Sequence, residues 1–307
     1  IAIVGVLSED FNETTGRVAL TTLAIALYNA TGSAGVSALA SAFDFSRERN
    51  KIVVSDFEFP TVAQIWHAQA ARGAEVVHVP AAGNTIPLSR FADAIDERTA
   101  LVSITHVCFR NGSKLDIPAI VELAHSKGAL VLVDSYQALG TMPVDVKKLK
   151  VDFLVGGVLK YLLASAGLAY LYVRKDLLSG LNPTAVGWFS QANIFAMDIY
   201  GNTPSPTARR FESGTPPVPN IYAAVAGIKL IQSVGLDNIE RHIRELTGAI
   251  KEGVMQRGFN LVSPVDPAKH GALITVRSHK VDLLVKWLAN DGIITSSRDD
   301  NLRISPH

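Results

Sequence analysis

From about residue 50, short runs of Val, Ile and Leu alternate with longer stretches whose apolar residues recur every three or four positions. Runs of the first kind predict strands and stretches of the second predict amphipathic helices, so their alternation predicts an α/β domain. KIVVSD (51–56) reads as a strand, PTVAQIWHAQAARG (60–73) as a helix stopped at Gly73, and AEVVHVP (74–80) as the next strand. The unit then repeats: LSRFADAID as a helix, ALVSITHV (100–107) as a strand, IPAIVELAHSKG (117–128) as a helix ended by Gly128, and ALVLVD (129–134) as a strand. Leu101-Val102-Ser103-Ile104 and Leu130-Val131-Leu132-Val133 barely alternate, which is the pattern of strands covered on both faces of a mainly parallel sheet. DFLVGG (152–157) and GLAYLYVR (167–174) add two more strands.

After Arg174 the chain becomes rich in Pro and Gly, over roughly residues 179–219. Irregular stretches of that length inside a domain are usually functional or interfacial. Two helical stretches, 221–235 and 236–258, lead to a smaller α+β segment that ends in GIITSSRDDNLRISPH. The expected organisation is a large domain over 1–222 and a small C-terminal domain over 223–307.

Composition narrows the function classes. With 307 residues, 48% of them hydrophobic, the chain can bury a large core. It carries 29 Lys+Arg against 28 Asp+Glu and no run of like charge, so neither nucleic acid nor an anionic membrane is an expected partner. Val18 to Phe43 holds no charged residue, yet Asn29, Thr31, Gly32, Ser33, Gly35, Ser37 and Ser41 interrupt it. It therefore reads as a buried helix, a Gly-rich turn and a second buried helix, since a membrane span needs about 20 predominantly apolar residues. The opening IAIVGVLSED lacks the basic n-region and the cleavage site of a secretory signal. A single cysteine, Cys108, excludes an intrachain disulfide framework and argues against a Cys-based zinc site. The expected compartment is cytoplasmic, with a small-molecule substrate and no metal.

In an open parallel sheet, ligands bind beyond the carboxyl ends of the strands. Four chemistry-bearing residues fall there: His106, Asp134, Gln137 and Lys160. A carboxylate directly after Leu130-Val131-Leu132-Val133 needs a cation or hydrogen bonds, or else it caps a turn. Lys160, in GGVLKYLLASAG, has apolar neighbours that favour the neutral amine; taken alone, it reads better as a surface lysine snorkelling from a helix end, and the combination with the other residues changes the odds.

VSITHVCFRNG, followed by VLVDSYQALGTMPVDVKKLKVDFLVGGVLKYLLASAGLAYLYVR, resembles the core of class V aminotransferase-fold enzymes, a group that includes cysteine desulfurases, selenocysteine lyases, kynureninases and isopenicillin N epimerase-like proteins. The resemblance implies fold type I of the PLP-dependent transferases, with pyridoxal 5'-phosphate (PLP) as cofactor. It implies that Lys160 forms the Schiff base, that His106 stacks on the pyridine ring, that Asp134 holds the ring nitrogen protonated and that Gln137 approaches the ring hydroxyl. TGSAGVSA resembles the family's phosphate cradle, with Ser33 and the backbone of Ala34 as donors at a helix N-terminus. RFESGTPPV resembles a segment that reaches the phosphate of a neighbouring subunit, which implies a homodimer with Thr215 at the other protomer's site. Arg303 in NLRISPH stands where the family keeps its clamp for the substrate carboxylate, with Arg298 a second candidate.

Two departures limit the resemblance. Where desulfurases have a Ser and a His shortly before the lysine, this chain has Gly157, Val158 and Leu159. The C-terminal segment TSSRDDN has no cysteine, and Cys108 lies next to the ring-stacking position instead of on a mobile loop, which disfavours persulfide chemistry. The reading is an aminotransferase. The alternatives are a PLP-dependent lyase, kynureninase-like hydrolase or epimerase on the same core, and a non-catalytic protein that has kept the fold.

Overall fold

The computed structural model describes residues 31–306. The strands β1 (Lys51–Ser55), β2 (Glu75–Val79), β3 (Thr99–Thr105), β4 (Leu130–Asp134), β5 (Phe153–Gly157) and β6 (Ala169–Val173) form one sheet. Their order is β2-β1-β3-β4-β5-β6. The first five are parallel and β6 runs antiparallel to β5. The reason lies in the connections: a helix separates each pair of consecutive strands up to β5, whereas 158–168 contains none. Without a crossover helix the chain can only turn back beside the strand it leaves.

Successive strand residues face opposite sides. On one face Val102, Ile104, Val131 and Val133 pack with Phe91 of α3 (Leu88–Ala94) and with Ile117, Ile120 and Val121 of α4 (Ile117–Ser126). On the other, Ile52, Val54, Leu101 and Leu132 pack with Val36 and Leu39 of α1 (Gly32–Ser41) and Trp66 of α2 (Pro60–Ala68). β3 is buried along its whole length, which accounts for the weak alternation of its sequence. The stretch predicted as a helix to Gly73 is α2 plus a 3-10 turn over Gln69–Arg72, and Gly73 ends it with φ 96°, the left-handed stop that glycine adopts without strain. A short helix, α5 (Val146–Leu149), precedes β5.

α6 (Val218–Val234) and α7 (Leu236–Gln256) follow the Pro- and Gly-rich stretch. A second, antiparallel sheet in the order β7-β9-β8 comprises β7 (Ile274–Arg277), β8 (Ser296–Arg298) and β9 (Asn301–Ile304), with α8 (Val281–Asn290) between β7 and β8. The chain ahead of β7 is laced to the β3–α4 connection: Lys114 N–H donates to the Lys269 carbonyl at 2.9 Å and Ser263 Oγ to the Asn111 carbonyl at 2.7 Å. That lacing holds β9 close to the carboxyl end of β3. Part of the uncharged stretch, Val18 to Ala30, lies outside the described residues, as does its first predicted helix. The predicted Gly-rich turn is the first turn of α1, whose N-cap Thr31 accepts the Ala34 N–H at 3.1 Å. No helix among the described residues is long and apolar enough to cross a membrane.

Candidate active site

The carboxyl ends of β3, β4 and β5 open onto a cleft of about 750 Å³. Ser33 at the start of α1, Phe59 ahead of α2, Asp134 and Tyr136 from the end of β4, Gln137, and Lys160 beyond β5 all line it. Four residues expected from the sequence thus converge in space from three separate segments.

Asp134 is buried, with 5% of its surface exposed. Its Oδ1 accepts the Tyr136 N–H at 2.8 Å. Burial pushes its carboxyl above the usual carboxylate range, against the pull of that N–H and of the nearby Lys160 charge. The contrast is Asp152, equally buried at the start of β5, which binds Arg174, His125 at 2.9 Å and the Val131 N–H at 2.7 Å. Asp152 is a satisfied structural carboxylate; Asp134 has no salt-bridge partner of its own among the described residues. Lys160 is half-buried, and burial lowers its amine pKa; Asp134 acts against that shift and Arg303 adds to it. Its Nζ lies 5.2 Å from the centre of the Tyr136 ring and 6.0 Å from that of Phe59.

Arg303 sits on β9, paired with Thr275 and Ser296 in register. It is half-buried, its Nε is buried without a hydrogen-bond partner, and no carboxylate pairs with it among the described residues. Its charge acts on the Lys160 amine, although Arg303 itself does not line the cleft. Arg298 is exposed and donates to the carbonyl of Ser297 at 2.6 Å.

The remaining candidates stand apart from this group. His106 does not line the cleft: it lines the neighbouring cavity with Phe57, Ser113 and Lys114, and its Nδ1 lies 3.3 Å from Ser135 Oγ. Burial, helped by the Lys114 charge, lowers its pKa to about 4. Val107 and Phe109 form the cleft wall at this point. The Ala34 N–H is already taken by the Thr31 side chain, which leaves Ser33 as the candidate donor at that end. Thr215 is exposed in a loop and does not line the cleft. Sequence reasoning passed over Tyr136, Phe59 and Glu58. Tyr136 had a signal, its place between Asp134 and Gln137, whereas Glu58 approaches Asp134 only through the fold.

The aminotransferase class-V family model matches residues 22–298. The chain belongs to the class V aminotransferase family. It is 31% identical to the uncharacterized aminotransferase YcbU of Bacillus subtilis (strain 168) over 92% of the chain and 74% of that protein. It is 33% identical to a cysteine desulfurase of Escherichia coli O6:K15:H31 over 69% of the chain, although that alignment spans only 52% of the desulfurase. A solved C-DES mutant with glycine covalently linked to its PLP cofactor superposes with a TM-score of 0.84 over 99% of this chain and 80% of that one, at 22% identity. The fold is therefore fold type I, as the resemblance implied. PLP fits the cleft chemically: an amine with lowered pKa suits its aldehyde, a buried carboxylate short of a cation suits its pyridine nitrogen, and the α1 N-terminus suits its phosphate.

Proposed function

We propose that the chain is a PLP-dependent aminotransferase acting at the Cα of an amino acid, with Lys160 as the covalent anchor of the cofactor. When bound, PLP supplies an aldehyde for the substrate amine and a protonated pyridine that draws electrons from a Cα bond. The observation that carries the reading is the grouping of Lys160 and Asp134 in one cleft: a lysine with lowered pKa that feels a buried carboxylate and the charge of Arg303, which has no carboxylate partner among the described residues. Asp134 would hold the proton on the pyridine nitrogen. The Lys160 amine, released by the incoming substrate, would take the Cα proton and return it to the carbon that was the cofactor's aldehyde, across the intervening nitrogen, the movement that transamination requires. Arg303 would receive the substrate carboxylate in a bidentate fork. Gln137 and Ser33 are assigned to the ring hydroxyl and the phosphate.

Cys108 supports transamination over desulfuration. It is the chain's sole cysteine, it is buried, and burial raises its thiol pKa, whereas persulfide chemistry needs an accessible thiolate. The second reading, a lyase or hydrolase, draws on the similarity to the cysteine desulfurase. A single-turnover half-reaction with a panel of amino acids separates the two. Transamination converts the bound cofactor to its amine form and releases one keto acid per site. A product released while the cofactor keeps its aldehyde absorbance overturns the transaminase reading. Lys160→Ala should abolish borohydride fixation of the cofactor to the protein in either case.

A homodimer belongs to the same reading. The stretch around Trp188 to Tyr200 exposes several large apolar side chains, and the Phe189 N–H donates to the Ser213 carbonyl at 3.3 Å, which ties Thr215's loop to it. A second copy covering this stretch would be brought close to Thr215.

A further inference from the structure

Tyr136 occupies a slot that exists only because two neighbouring positions have no side chain. A Cβ on Gly157 would lie 1.7 Å from the Tyr136 hydroxyl oxygen, and a Cβ on Gly32 would lie 2.8 Å from its Cε2. The ring is thus wedged between the last residue of β5 and the first residue of α1, with its oxygen where a side chain at position 157 would begin. The same ring lines the cleft beside Ser33, at the end where first-turn N–H groups face an anion.

We propose that the Tyr136 hydroxyl donates a hydrogen bond to the phosphate of the cofactor, replacing a donor that Gly157 cannot carry. The inference rests on the reading that places the phosphate at the α1 N-terminus. Two further observations support it. The Gly32 backbone pulls the phenol pKa down and so acts on the oxygen's lone pairs, leaving the hydroxyl proton for an acceptor in the cleft. Burial and the neighbouring Asp134 raise the phenol pKa, so the proton to be donated is present at neutral pH. Tyrosine also suits the geometry: its hydroxyl is held far from its own backbone by a rigid ring, so a residue from the end of β4 reaches across to α1.

The test compares pyridoxamine 5'-phosphate with pyridoxamine, which bind without the covalent link and differ only in the phosphate. The affinity ratio of the two, measured by fluorescence titration of the apoprotein, isolates phosphate recognition. Tyr136→Phe keeps the ring in its slot, and the ratio should fall roughly 10- to 100-fold while pyridoxamine affinity stays constant. An unchanged ratio overturns the proposal. Gly157→Ser alone should lower the melting temperature, because its Cβ meets the phenol. In Tyr136→Ala/Gly157→Ser the slot is vacated for the serine, and the ratio should recover from the value of Tyr136→Ala. Failure to recover would show that positions 136 and 157 do not share one donor role. Ser33→Ala, which removes the hydroxyl assigned to the phosphate and leaves the start of α1 in place, tests the phosphate placement independently. A drop in the ratio with Ser33→Ala but not with Tyr136→Phe keeps that placement and removes Tyr136; no drop with either removes both.

Discussion

Glu58 carries a carboxyl in a place where ionisation is expensive. Only 6% of it is exposed, its Oε1 accepts from the Ser55 hydroxyl at 3.3 Å and its Oε2 has no partner. Burial, with the adjacent Asp134 adding to it, raises its pKa well above 4.5. A neutral Glu58 leaves Asp134 as the member of the pair free to ionise when a cation arrives. The linkage has a definite sign. The folded pKa lies above the unfolded one, so the apoprotein loses stability as pH rises from about 4.5, by about 1.4 kcal/mol per pH unit while only the unfolded chain ionises. Glu58→Gln should flatten this slope above about pH 4.5 in urea-unfolding titrations and gain stability toward the alkaline end. An unaltered slope would mean that Glu58 is ionised in the fold. His106 has the opposite sign. Its pKa falls from 6.5 to about 4, so stability is lost as pH drops through that window, by roughly 3 kcal/mol in all. His106→Asn should remove this acid-side loss, measured by the same titration.

At the scale of elements, the turn that carries Lys160 is set by how closely α6 approaches it. A Cβ on Gly227, in the middle of α6, would lie 2.2 Å from the Leu162 carbonyl oxygen, and the Leu163 N–H closes the turn onto the Lys160 carbonyl at 3.0 Å. Helix propensity alone makes Gly→Ala stabilising by about 1 kcal/mol. At Gly227 the packing term should win, with overpacking costing about 1–3 kcal/mol and the Lys160 turn displaced. Gly227→Ala is therefore expected to lower the melting temperature and weaken cofactor retention. Gly248→Ala in α7, where an added Cβ meets nothing within 4 Å, should raise the melting temperature instead. The two variants measured side by side separate propensity from packing. The same distinction explains what could be read from the sequence. Strands and helices were legible because apolar period and stop residues are local, and β1 to β6 fall within two residues of their sequence limits. Lys160, Asp134 and Gln137 were legible because strand ends in a parallel sheet converge. The reversal of β6, the closeness of Arg303 to Lys160 and the wedge of Tyr136 between Gly32 and Gly157 depend on contacts between distant segments, which no local pattern encodes. For His106 the position at the end of β3 was readable, whereas the cavity that its side chain lines was not.

For the whole molecule, the largest unexplained feature is apolar surface. Phe195 and Met197 are exposed in one short stretch, with Ile199 83% exposed and Tyr200 94%. Single exposed apolar residues are ordinary; four within six positions, next to the half-exposed Trp188, mark a surface built to be covered. A second copy of the chain is the proposed cover, because the loop of Thr215 is tied to this stretch at Ser213 and is exposed beside it. Burying one large apolar side chain contributes about 1.5–3 kcal/mol, so a symmetric dimer that loses two from each protomer should weaken by several orders of magnitude. Ile199→Asp/Tyr200→Ser is expected to sediment as a monomer at micromolar concentration where the wild type sediments as a dimer. Thr215→Val leaves the apolar stretch intact, so it should remain dimeric while losing affinity for pyridoxamine 5'-phosphate more than for pyridoxamine. A wild type that sediments as a monomer removes the dimer and with it any role for Thr215 across a subunit boundary. A dimeric Thr215→Val with unchanged phosphate preference leaves the interface standing but assigns the phosphate wholly to the protomer that holds Lys160.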